Sequence, residues 1–143
     1  MEQPVRHSLV QTLRSLADFA DLDETTLLGI AGESMNLCWK AGSIIFSPGQ
    51  TGEALYIVLT GECSISDDGG HEVSHAAEGS SFGEMSLLLN ATHSKTARAL
   101  TDCEILVLPK EAFQRMLAEN TALSDHFDRV LKERAPETSP SVI

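Results

Sequence analysis

From Met35 to Leu108 the chain is cut into short apolar runs by turn residues about ten positions apart, a rhythm that admits few folds. The runs cover 35–39, 43–47, 54–60, 62–66, 71–76, 96–101 and 103–108. Between them stand Lys40-Ala41-Gly42, Ser47-Pro48-Gly49, Gly61 and Asp67-Asp68-Gly69-Gly70, all turn formers. Many short strands joined by tight turns predict an antiparallel sandwich or barrel. Leu55 to Leu59 is apolar on both faces, as a central strand would be. Asp68-Gly69 suits a hairpin turn.

Helical patterns flank the β region. Val5, Leu9, Leu13 and Leu16 recur at helical spacing, and Asp23-Glu24-Thr25 opens a second helix through Leu27, Leu28 and Ile30. Within the β region, Gly83 to Leu89 breaks the strand pattern with helix formers and predicts one or two turns. The free amides at such a helix's start favour an anion. After Pro109 a helical face returns at Phe113, Met116 and Leu117, then at Leu123, Phe127, Val130 and Leu131, with a break near Asn120-Thr121. The expected plan is one domain over 1–134: N-terminal helices 5–33, a β-roll 35–108 and C-terminal helices 110–133. Residues 135–143, with two prolines and two serines, read as a flexible tail.

Composition narrows the function. The 143 residues carry 10 basic and 21 acidic side chains, a formal charge of −11, which disfavours nucleic-acid binding. No Lys or Arg stands between Lys40 and Lys95, a stretch with seven acidic residues. No apolar run reaches the ~18 residues of a membrane span, and the N-terminus lacks a signal peptide's apolar core. Cys38, Cys63 and Cys103, odd in number and without a CxxC, read as reduced, buried thiols of a cytoplasmic protein. His71 and His75 have no third ligand at metal spacing, no serine stands in a fixed relation to a His/Asp pair, and no Walker loop occurs. The expectation is therefore no enzyme, no metal and no cofactor.

Two stretches resemble a known family. Residues 41–61, AGSIIFSPGQTGEALYIVLTG, are similar to the strand–loop–strand signature of cyclic-nucleotide-binding domains. That family includes catabolite-activator-type regulators, protein kinase A regulatory subunits and nucleotide-gated channels. Phe82-Gly83-Glu84-Met85-Ser86-Leu87-Leu88, then His93-Ser94-Lys95-Thr96-Ala97-Arg98-Ala99, resembles its phosphate-binding cassette, usually F-G-E-[ML]-[SA]-L-L followed by R-[ST]-A-T-V-R-A. The likeness covers roughly residues 10–132. It implies an antiparallel, jelly-roll-like β-roll with a short internal helix. It also implies a ligand site of Gly83, Glu84, Met85, Ser86, His93, Ser94 and Lys95. Gly83 and Glu84 would hold a ribose hydroxyl, and the helix amides the cyclic phosphate. The last helix would be a lid, with Phe127, Val130 and Leu131 as contacts.

One position departs from the pattern. Where the family has arginine this chain has His93, and Lys95 stands at a usual alanine. A histidine with pKa near ~6.5 is mostly neutral at pH 7 and cannot pair as a fork with two phosphate oxygens. Losing such a pair costs on the order of 1.5–3 kcal/mol, or ~10- to 150-fold in affinity. Lys95, two residues on in an extended segment, would point the same way as His93.

The expected function is non-catalytic: a regulatory domain senses a cyclic nucleotide, cyclic AMP first, and relays binding through its C-terminal helix to an unidentified protein effector. The alternative is a ligand-silent relative serving as an interaction or homodimerisation module.

Overall fold

The computed structural model describes residues 10–15, 19–20, 22–89, 91–129 and 132. Val5, Leu9, Leu16, Val130, Leu131 and the 135–143 tail, for which the sequence carries expectations, lie outside the described residues, as does the Met85 side chain. Eight strands follow: β1 (Met35–Trp39), β2 (Ile44–Phe46), β3 (Ala54–Thr60), β4 (Cys63–Ser66), β5 (Glu72–Ala76), β6 (Ser81–Phe82), β7 (Thr96–Ala99) and β8 (Cys103–Pro109). Helical segments are α1 (10–15), α2 (Glu24–Glu33), α3 (Glu84–Leu88), α4 (Lys110–Glu119) and α5 (121–129).

The strands form two antiparallel sheets, ordered β1-β8-β3-β6 and β2-β7-β4-β5. They face each other as the β-roll expected from the sequence, but do not close into a barrel. β3 is central, paired with β8 on one side and β6 on the other. Its alternation divides the interior. Leu55, Ile57 and Leu59, with Leu106 and Leu108 of β8, pack against the helices, including Leu27, Ile30, Phe113, Leu123 and Phe127. Ala54 and Val58, with Ile105 and Val107, pack instead against Cys63, Ala76, Ala97 and Ala99 of the second sheet.

Local chemistry sets the ends. Asp23 caps α2 by accepting from Thr26 N at 2.7 Å. Asn120 makes the expected break: Oδ1 accepts from Leu123 N at 2.9 Å to cap α5, and Nδ2 donates to Thr26 Oγ1, tying that junction to α2. The β4–β5 hairpin forms as expected, although the residue with positive φ is Gly70 (80°) rather than Gly69.

Two expectations need correction. Cys38 is exposed, because β1 is an edge strand with little cover on either face. β6 was not anticipated: two residues are too few to show a period. Among the described residues no helix is long and apolar enough to cross a membrane.

Candidate functional site

A cavity of about 330 Å³ lies between β4–β5 of one sheet and the β6–α3 corner of the other. Both halves of the cassette line it: Gly83 and Ser86 from the first, His93, Ser94 and Lys95 from the second. Phe82 of the cassette and Phe46 of the 41–61 stretch line it too, together with Ser80 and Ser81 and with Ile65, Ser74, His75 and Ala76 of β4 and β5, which neither motif contains. Only long-range pairing brings β2, β4 and β5 to this place.

The corner depends on glycine. Gly83 turns the chain from β6 into α3 at φ 87°, and a Cβ there would lie 2.9 Å from Tyr56 Cδ1. Gly52 lets the 47–52 loop approach α3; a Cβ would meet Ser86 Cβ at 2.5 Å. That loop then holds the His93 backbone on both sides. His93 N donates to Gln50 O and Gly49 N to His93 O, each at 2.8 Å.

His93 is consequently buried, with 5% of its surface exposed. Its ring lies parallel to Phe46, centroids 3.6 Å apart and planes 6° apart. Nδ1 shares a 2.8 Å hydrogen bond with Ser86 Oγ. Burial pulls the imidazole below its ordinary pKa, so the free site holds it neutral at pH 7. Phe46 in turn neighbours Phe82 and Tyr56, which stack on each other at 5.2 Å. Burial, and then the charge of Glu53, raises the Tyr56 phenol, so it too is neutral.

Among the described lining residues Lys95 is the one lysine or arginine, and its Nζ donates to Ser94 Oγ at 3.3 Å. His75 is bracketed by carboxylates, Nε2 3.0 Å from Glu62 and Nδ1 3.4 Å from Glu72. Glu84 opens α3 but is 2% exposed and is not among the residues lining the cavity. Phe127 lies away from it in the helix-side core, edge-on to Phe113 at 5.1 Å. Elsewhere in the inter-sheet core, the Cys63 and Cys103 sulfurs are 3.7 Å apart, and burial with the Cys103 contact pushes the Cys63 thiol up to about 12. No cluster of three or more His, Cys, Asp or Glu among the described residues could hold a metal ion.

Residues 37–120 match the model of the cyclic nucleotide-binding domain. The chain belongs to that family. A cAMP-dependent protein kinase regulatory subunit of Candida albicans is 30% identical over 114 residues, 80% of this chain and 25% of that protein. A cAMP-bound protein kinase A regulatory subunit superposes with a TM-score of 0.86 at 22% identity, over 100% of this chain and 49% of the other. The regulatory subunit of a cAMP-independent protein kinase A from Trypanosoma brucei gives 0.84 at 24% identity, over 96% and 50%. Both structural likenesses establish the fold. The chain spans 6% of a lysophospholipase from Chaetomium globosum and 25% and 36% of the kinase regulatory subunits of Candida albicans and Dictyostelium discoideum, so it is much shorter than these relatives. A cyclic-nucleotide-binding-type domain thus occurs as a small part of both regulatory proteins and an enzyme.

Proposed function

We propose that this domain is a non-catalytic, cytoplasmic sensor that takes a cyclic nucleotide, cyclic AMP first, into the cavity beside α3. The observation that carries the reading is the convergence of Gly83, Ser86, His93, Ser94 and Lys95 on that one cavity. Its volume is at the lower end of the roughly 300–1,000 Å³ of small-molecule sites. Lys95, Ser94 and the His93 ring supply the polar contacts to the phosphate and Gly83 the ribose side, while Glu84, buried and outside the cavity wall, would reach a ribose hydroxyl only if the β6–α3 corner shifts. The cytoplasmic assignment rests on three unpaired cysteines. The signal leaves through α4 and α5 to a protein effector, with Phe127 moving only if the helix-side core rearranges.

His93 also favours a second reading, a ligand-silent interaction module, since a neutral ring replaces the expected fixed cation. Calorimetric titration with cyclic AMP, cyclic GMP and cyclic di-GMP at about pH 6 and pH 7.5 separates the two. Micromolar binding of one ligand supports the sensor, and silence to millimolar ligand supports the module. In the double variant His93→Arg/Lys95→Ala the sensor reading expects tighter binding of cyclic AMP than in the wild type, because a fork-shaped guanidinium pair outweighs the lost ammonium contact. No gain would show that more than a guanidinium is missing.

A further inference from the structure

We infer that an anionic ligand enters this cavity together with a proton, taken up by His93, so that the His93–Phe46 pair forms a cationic half-site only while the ligand is bound. The inference rests on the sensor reading and specifies how that site acquires its charge.

Three features of the geometry support it. The first is the partner at Nδ1. A serine hydroxyl donates to an unprotonated Nδ1 and, by rotating, accepts from a protonated one, so Ser86 satisfies the ring in both charge states. The second is the Phe46 face at 3.6 Å, whose quadrupole attracts an imidazolium more than a neutral imidazole. The third is the free end of the ring. Among the described residues nothing bonds Nε2, and the ring lines the cavity. Nε2–H is therefore the donor available to a ligand oxygen.

The surroundings make the proton conditional. The ionisable groups that share the cavity wall with His93 are Lys95 on its own segment and His75 of β5; Tyr56 of β3 neighbours Phe46, and Glu84 opens the helix that carries Ser86. β2, β6 and the 47–52 loop contribute none. Tyr56 stays neutral, and His75 is already held by Glu62 and Glu72. In the empty site burial favours the neutral ring; an anion at Nε2 reverses the preference.

The sign follows from linkage. With the free-state pKa lowered and the bound-state pKa raised, affinity is greatest below the free-state value. It falls about tenfold per pH unit between the two and levels off above the bound-state value. The proton comes from buffer, and the ligand is chemically unchanged.

The test is calorimetry of the whole chain with cyclic AMP from about pH 6 to pH 8, in paired buffers of different ionisation enthalpy, with adenosine as the phosphate-free probe. The expected result is uptake of up to about one proton per cyclic AMP near pH 7.5, and none with adenosine. Uptake disappears in His93→Gln and in His93→Arg, which fixes the charge, and persists in His75→Gln. Binding of cyclic AMP without proton uptake, or uptake that survives His93→Gln, overturns the inference and leaves the sensor reading intact. No binding even at pH 6 overturns both.

Discussion

The two faces of β3 are built differently. Towards the helices it presents Leu55, Ile57 and Leu59, which meet Phe19, Phe113 and Phe127 in a core of large side chains. Towards the second sheet it presents Ala54, Tyr56 and Val58, among alanines at 76, 97 and 99 and a run of rings that ends at His93. Large branched residues fill space and stabilise; small residues between sheets leave room. One strand therefore carries a stabilising face and a ligand-accommodating face. The internal helix connects them, since Leu87 packs with the helix-side core while Ser86 bonds to His93.

The largest effect should come from breaking the stabilising face. Ile57→Ala empties a fully buried position and should cost about 2–5 kcal/mol, a large fraction of the roughly 5–15 kcal/mol of a domain this size. Urea denaturation would measure it. A cost below about 1 kcal/mol would mean that the helix layer does not hold the fold.

A smaller stability effect, with a larger effect on binding, is expected on the other face. Ala76 is buried and lines the cavity, so Ala76→Leu places its added methyl groups in open space. Stability should change by less than about 1 kcal/mol, because the 1–3 kcal/mol cost of overpacking applies to filled cores. Affinity for cyclic AMP should fall at least about tenfold, on the order of 1.4 kcal/mol. Strong destabilisation with unchanged binding would reverse the division between the two faces.

The stabilising face was far more legible in the sequence than the accommodating one, for a physical reason. Apolar runs and the turn residues that end them are local properties, so β1, β3 and their turns are legible from neighbouring residues, and so is the break at Asn120. The cassette residues were legible by resemblance, and five of the expected ligand residues do line one cavity. What could not be read was environment. That His93 would stack on Phe46, 47 positions away, depends on β2 pairing with β7, and so does the burial that keeps it neutral. Cys38 failed for the converse reason: its run is apolar, but its place at a sheet edge leaves it exposed.

The smallest effect should lie where neither core reaches, at the β4–β5 hairpin. Val73 is exposed there, and the turn is held by polar contacts. Asp67 Oδ1 accepts from Gly69 N and His71 N, each at 3.0 Å. The His71 amide bond is the main cause that holds the carboxyl below its ordinary value of 3.8. A depressed pKa means the folded turn favours the carboxylate. That stabilisation is complete above the ordinary pKa and is lost as pH falls through the depressed one. The amide proton shifts of Gly69 and His71 should therefore titrate with a midpoint below 3.8, while that of Ile57 stays still. In Asp67→Asn the titration should vanish with the melting temperature almost unchanged, since the group is open to solvent. A midpoint at or above 3.8 would mean that the turn does not hold these bonds in solution. A marked fall in melting temperature would mean that this edge of the roll supports the cavity wall it shares with Ser74 and Ala76.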